Sequence, residues 1–303
     1  MRFVAAIDIG GSTTKIGIVG EDGVIAARAS IPTSDHGEPQ ALVDGIVAAL
    51  QPMLARNRVS GVGVSVAGFL DRKRSAMVVN ANLPALCGFP LRRDLENRLA
   101  LPCRLEVDSN ASTVAEFRYG KGRGAKRLLG VTVGTGLGGG VIVDGRLLRH
   151  TGECAGDLGH IIVSPKGRRC TCGANGCLEA MVCSAALSYR AGGRRVRDIL
   201  SDARAGEQRS LDALAETGWW LGLGLASLSP LFAPDRIIVG GGISAAGDFL
   251  LEPARMSYLL HAASEFKHVE ILGSSFDGWE GIVGAGSLVL EPLDDHAVPP
   301  TRQ

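Results

Sequence analysis

His160 stands ahead of three closely spaced cysteines, Cys170, Cys172 and Cys177, in the pattern H-x9-C-x-C-x4-C, with Gly173 and Gly176 between the thiols. One imidazole and three thiolates on tight glycine turns suit a four-coordinate zinc ion. Protein then fills every position around the metal, so the zinc is expected to be structural. Unrelated buried thiols are the competing explanation, but the flanking Arg168-Arg169 and Thr171 are not core-like. Cys87, Cys103, Cys154 and Cys183 stand apart in apolar surroundings and read as small buried thiols. Seven cysteines without a secretory leader do not suggest a disulfide framework.

Glycine-rich turns offer a second kind of chemistry. Asp8-Ile9-Gly10-Gly11-Ser12-Thr13-Thr14-Lys15 joins two strand-like runs through a loop whose main-chain N–H groups can reach a phosphate and whose aspartate can hold hydrated Mg2+. A plain hairpin would also explain it, although tight hairpin loops are usually shorter and rarely carry so many polar groups. Gly134-Thr135-Gly136-Leu137-Gly138-Gly139-Gly140 satisfies G-x-G-x-x-G. A dinucleotide fingerprint must open a helix, however, and here Val141-Ile142-Val143 continues as a strand, so the segment reads as a second phosphate-binding hairpin. Gly240-Gly241-Gly242, after a buried strand and before a helix, either approaches a nucleotide's ribose or α-phosphate or is a simple turn. Asp108 ends one element and begins the next, and is either a helix cap or a carboxylate that accepts a proton from a substrate hydroxyl.

The elements that must hold these groups follow from periodicity. Residues 3–8, 15–19 and 24–28 form an antiparallel meander around the first glycine turn. A helix over 39–56, a buried strand at 62–66, a helix over 91–99, a strand at 104–107 and a helix from 108 complete a first lobe. After a Gly- and base-rich connector at 121–126, strand, glycine turn and strand recur at 128–133, 134–140 and 141–143, followed by a strand at 146–148. Two such hairpins suggest two lobes of related topology facing each other. Helices over 183–191, 194–203 and 207–229, a strand at 236–239, a helix from 246, strands at 268–272 and 282–284 and a final helix follow, with a frayed tail at 297–303.

Composition excludes several classes. Lys and Arg number 32 against 31 Asp and Glu, which leaves no basic excess for nucleic acid. The longest apolar runs fall far short of the roughly 20 residues a membrane span needs, and no leader precedes the first strand, so a cytoplasmic protein is expected. Glycine, at 42 of 303 residues, is about twice its usual frequency of ~7%, as turns that approach a ligand closely require.

Together these residues resemble the ROK family, whose sugar kinases and sugar-responsive repressors share an actin-like, ribonuclease-H-related ATPase fold. The resemblance runs from Asp8 to about Gly286. It rests on the Asp8 loop, Asp108-Ser109-Asn110-Ala111, the 134–140 glycines, Ala155-Gly156-Asp157-Leu158-Gly159-His160, and Cys170-Thr171-Cys172-Gly173-Ala174-Asn175-Gly176-Cys177-Leu178-Glu179. It implies an α/β, two-lobed actin-like fold with a structural zinc loop. An N-terminal lobe would span 1–120, with helix 287–303 packing back on it, and a C-terminal lobe would span 121–286. It further implies an ATP- and Mg2+-dependent kinase acting on a sugar 6-hydroxyl. Asp108 would be the base, and Gly68, Asn82, Asp157, His160 and Glu179 would meet the sugar. Asp8, Gly10, Gly11, Ser12, Thr13, Lys15, Gly134, Thr135, Gly136, Gly240, Gly241 and Gly242 would meet the nucleotide. In this resemblance His160 serves twice, one ring nitrogen on zinc and the other toward a sugar hydroxyl. Family members commonly pair, so a homodimer or higher homo-oligomer is expected, with no nucleic-acid or membrane partner.

Two positions depart from the glucose-type pattern, which has Asn before the catalytic Asp and Glu three residues before the zinc His; here they are Val107 and Asp157. A lost amide and a shortened carboxylate remove at least one ring contact, so an amino-hexose such as kanosamine, glucosamine, N-acetylglucosamine or N-acetylmannosamine is expected slightly ahead of glucose. Repressors of the family carry a winged-helix segment ahead of the first phosphate loop; with that loop at residue 8, none is expected. The alternative is a catalytically weak sugar sensor without a DNA-binding domain.

Overall fold

Apolar strands buried on both faces need helical cover on each side, and the chain supplies it twice. The computed structural model describes residues 1–33, 38–80, 83–149 and 157–293. It divides into one unit of Met1–Arg123, Ile142–Gly156 and Trp279–Gln303 and another of Gly124–Val141 and Asp157–Gly278. Asn82, Cys154, Ala155, Gly156 and the tail at 297–303 lie outside the described residues.

The first unit opens with β1 (Phe3–Ile9), β2 (Thr13–Gly20) and β3 (Ile25–Pro32), followed by α1 (Pro39–Leu54), β4 (Val59–Val66) and the short pair β5 (Phe69–Leu70) and β6 (Met77–Val79). Then come α2 (Leu91–Leu99), β7 (Cys103–Val107) and α3 (Asp108–Tyr119). Its sheet has the order β3-β2-β1-β4-β7, antiparallel across the meander and parallel from β1 to β7. Ile16 and Ile18 face Leu42, Ile46 and Leu50 of α1 in one core cluster.

The second unit carries β8 (Arg127–Val133) and β9 (Leu137–Val143), with the unit boundary falling inside β9, and β10 (Arg146–Leu147) follows. Helices α4 (Leu178–Val182), α5 (Ser184–Arg190), α6 (Val196–Arg204) and α7 (Gln208–Phe232) precede β11 (Arg236–Gly240), α8 (Asp248–His261) and β12 (Glu270–Gly273). The order β10-β9-β8-β11-β12 repeats the first sheet's plan of third, second, first, fourth and fifth strand. Among the described residues no helix is long and apolar enough to cross a membrane.

The structure corrects the sequence reading in two places. Residues 282–284 are not a strand but lie in α9 (Glu280–Leu290), a helix buried from Glu280 through Leu288. Its β-branched pair Ile282-Val283 imitates a strand, and burial on all sides hides the helical period. Gly138 to Gly140 belong to β9 rather than to the turn, and a methyl group on Gly139 would lie 2.4 Å from Leu158 Cδ1. Residues 142–149 and 279–286 group with the first unit.

Helix α9 covers the face of β1 and β4 opposite α1, and glycines set its depth. A methyl group on Gly63 of β4 would lie 2.2 Å from Ala285 O, and one on Gly284 would lie 1.7 Å from Ala111 O of α3. Backbone cannot yield as a flexible side chain does, so Gly284→Ala should destabilise the chain by about 3 kcal/mol. The urea midpoint reads this. Gly242→Ala, where the added methyl meets open space, serves as the control; equal midpoints for the two variants would refute the close-packing argument.

Candidate active site

The clearest cluster is His160 with Cys170, Cys172 and Cys177, whose ligand atoms all lie within 4.8 Å of one another. Cys172 Sγ and Cys177 Sγ are 3.5 Å apart, and Cys170 Sγ is 3.6 Å from His160 Nδ1. A tetrahedron with Zn–S bonds of ~2.3 Å has edges of roughly 3.8 Å, so the donor set fits such an ion. Local backbone builds this cup: Cys170 N–H donates to Ala174 O at 2.8 Å, and Gly173 N–H returns to Cys170 O at 3.0 Å. Gly176 has φ +73°, and a methyl group there would overlap Ser164 O. Without metal, burial pushes the Cys177 thiol up to about 12, whereas the Ala174 backbone contact first, aided by the neighbouring thiols, holds Cys172 below the ordinary thiol range.

His160 Nε2, the nitrogen turned from Cys170, lies 3.4 Å from Asp157 Oδ2. A carboxylate there fixes ring tautomer and orientation. Asp157 also accepts from Gly159 N–H at 3.3 Å. Burial raises its carboxyl above the usual range and Glu179 adds repulsion, while His160 and Gly159 pull the other way. Glu179, in the first turn of α4, ties two loops together: Oε2 accepts from Leu137 N–H at 3.0 Å, and Oε1 accepts from Thr171 Oγ1 at 3.3 Å.

The glycine turns of this unit converge. Gly134 N–H donates to Gly136 O at 2.9 Å, and Gly134 O accepts from both the main-chain N–H and the hydroxyl of Ser184, each at 2.8 Å. Gly241 has φ +87° and sits against Val133, where a methyl group would come within 2.5 Å of the carbonyl. Gly134 to Gly136 and Gly240 to Gly242 therefore neighbour each other, and Thr135 sits at the tip of its turn. Ser184 was not singled out from sequence; its position at the start of α5 is the only signal it carries.

In the first unit the turn between β1 and β2 is only residues 10–12, closed by Gly10 N–H to Thr13 O at 3.2 Å, which leaves Gly11 and Ser12 at its tip and Thr13 and Lys15 on β2. Asp8 pairs in register with Lys15 on one side and Ser65 on the other, and accepts from Ser65 Oγ at 2.7 Å. Burial raises the Asp8 carboxyl, against the lowering influence of Ser65 and Lys15. Glu280, buried at the head of α9, is raised by the same cause, and its Oε2 has no hydrogen-bond partner among the described residues. A half-buried and a buried carboxylate, the latter with an orphaned oxygen, suit a divalent cation.

Asp108 is the first residue of α3, and its Oδ1 accepts from Ser109 N–H at 2.7 Å. Val107 is the capping residue, so the cap explanation does not account for Asp108. The preceding carboxylate, Glu106, steadies this helix start: its Oε1 accepts from Val107 N–H and from Asn110 Nδ2, each at 3.0 Å. Glu106 in turn meets Arg74 and, at 3.0 Å, Arg149 Nε. Gly68 adopts φ +97° beneath Val79 O, and Asn80 braces the same loop through Ala67 O at 2.9 Å and Leu83 N–H at 2.8 Å. None of Glu106, Arg74, Arg149, Ser65, Asn80 and Glu280 was identified from sequence; the partners that join Glu106 to Arg74 and Arg149, and Ser65 to Asp8, lie far along the chain.

The ROK family model matches residues 4–292. The chain is 33% identical over 316 residues to a glucokinase of Streptomyces coelicolor, covering 96% of this chain and 99% of that protein. It is 31% identical over 288 residues to an N-acetylmannosamine kinase of Escherichia coli, covering 93% and 97%. Its fold superposes with TM-score 0.84 and 33% identity on a ROK family glucokinase from Streptomyces griseus solved with glucose and AMPPNP, over 94% of this chain and 98% of that one.

Proposed function

The chain belongs to the ROK family, and on that premise we propose that it is an ATP-dependent kinase that phosphorylates the 6-hydroxyl of a hexose or amino-hexose. The observation that carries this reading is Asp108, a carboxylate at the head of α3 held by Ser109 N–H, in a chain whose relatives are sugar kinases over nearly their whole length. Asp108 takes the hydroxyl proton as the sugar oxygen bonds to the γ-phosphorus; the bond to the bridging oxygen breaks and ADP leaves. Asp8 and Glu280 are the carboxylates that would hold Mg2+, which would neutralise phosphate charge. Main-chain N–H groups of the turns at 10–12 and 134–136 bind phosphate, with Lys15 supplying charge in the first unit. The remaining nucleotide contacts fall to Gly240, Gly241 and Gly242.

His160, Asp157 and Glu179 meet the sugar, together with Gly68 and Asn82. His160, Cys170, Cys172 and Cys177 would hold a structural zinc ion, and Asp157 orients the His160 ring from the other side. Val107 offers no polar side chain, and Asp157 is a methylene shorter than the usual Glu. Both favour a ring bearing an amino or acylamino group, with kanosamine one candidate beside glucosamine, N-acetylglucosamine and N-acetylmannosamine. The proposal includes a cytoplasmic location and a homo-oligomer, the latter read by analytical ultracentrifugation.

ADP release against glucose, glucosamine, kanosamine, N-acetylglucosamine, N-acetylmannosamine, mannose, allose and fructose tests the reading, with the phosphorylated carbon located by NMR. An amino-hexose is expected to give the highest kcat/KM. A strong preference for plain glucose would overturn the interpretation of Val107 and Asp157. Nucleotide binding without ADP release on any sugar would instead favour the sensor, and turnover indifferent to hexose would make the chain a plain ATPase.

A further inference from the structure

The first unit contains a cavity of about 370 Å3 that plays no part in the proposed kinase site. Its volume falls within the ~300–1,000 Å3 typical of small-molecule pockets. Five cationic side chains line it, Lys73, Arg74, Arg92, Arg104 and Arg149, against one acid, Glu106. Arg74 and Arg149 share Glu106, and Arg92 pairs with Glu96 at 3.1 Å. Lys73 and Arg104 make no ion pair among the described residues. The lining itself thus sets five cations against one carboxylate around one concave surface, with Glu96 beside Arg92 and Asp71 beside Lys73.

This concentration of like charge attracts anions. Burial lowers the Arg149 pKa, and Arg74 and Arg104 lower it further against the pull of Glu106, which places these cations close enough to repel one another. Three of the wall residues come from segments remote in sequence, Arg74 after β5, Arg104 in β7 and Arg149 after β10, so the charge is gathered by the fold and not by a local basic run. Guanidinium groups present planar pairs of N–H donors matched to phosphoryl oxygens, and Lys73 adds a point charge. We propose that this cavity is a second anion-binding site that takes a phosphate dianion, either inorganic phosphate or the phosphoryl group of a small monoester. The site lies apart from the glycine turns, and its existence does not depend on the kinase reading.

Equilibrium dialysis of the full chain against radiolabelled orthophosphate at low ionic strength, without sugar or nucleotide, provides the test. Saturable binding is expected. The Lys73→Ala/Arg104→Ala double variant should weaken it at least about tenfold, as removing two close charges predicts. Both side chains are exposed, so the variant should keep its fold, checked by circular dichroism. Lys15→Ala should leave the affinity within about twofold, because it lies at the other phosphate loop. Displacement of the label by glycerol 3-phosphate more tightly than by unlabelled phosphate supports a monoester ligand, and the reverse order supports free phosphate. Absence of saturable binding, binding unchanged in the double variant, or binding abolished by Lys15→Ala overturns the proposal.

Discussion

Asp108→Asn should retain its fold and its zinc and lose turnover by about a hundredfold to ten-thousandfold, the range that general-base catalysis contributes. The amide keeps the shape of the carboxylate and can still accept from Ser109 N–H, so the start of α3 stays in place. It cannot take a proton at neutral pH. Loss of charge at the first turn of a helix should cost stability by less than ~1 kcal/mol. The effect should therefore appear in kcat with little change in sugar KM. Steady-state rates at saturating sugar, circular dichroism and zinc analysis check it. A variant that retains more than about a tenth of the parent turnover would remove Asp108 from the base role.

The second large effect should follow from removing the metal. The purified chain should carry about one zinc, and Cys177→Ser or strong chelation should release it. With zinc gone, Cys177 returns to a neutral thiol, because burial pushes it up to about 12. The cup around Cys170 to Cys177 then loses its tie to His160, and Glu179 loses the ordered Thr171 that it contacts at 3.3 Å. The sugar KM should rise about tenfold or more, the scale seen when groups that orient a metal ligand are lost, with kcat less affected. Because thiolates bind the metal and thiols do not, zinc affinity should fall as pH falls. Elemental analysis and KM measured after dialysis at decreasing pH test both statements; a chain that purifies without zinc at neutral pH and still binds sugar normally would refute them.

Features written locally in the chain were legible before the fold was known. The zinc pattern needs only seventeen residues' reach beyond His160, and the glycine turns at 10–12 and 134–136 are each announced by the strand on either side. What sequence concealed depends on distance or on burial. Glu106 gathers Arg74 and Arg149 from 32 residues before it and 43 after it, and no local pattern links them. Ser65 reaches Asp8 across a parallel strand pair whose register only the sheet defines. Helix α9 was mistaken for a strand over 282–284 because a helix apolar on every side has no polar face to reveal its period. Glu280 went unnoticed for the same reason, as it heads that helix.

The position of α9 also dictates the order of assembly during synthesis. The face of β1 and β4 that carries Gly63 remains uncovered until residues 280–290 leave the ribosome, by which time the whole of Asp157–Gly278 has already emerged. The half translated first is thus completed last, and a nascent chain stalled short of residue 280 should present an unshielded apolar sheet to chaperones.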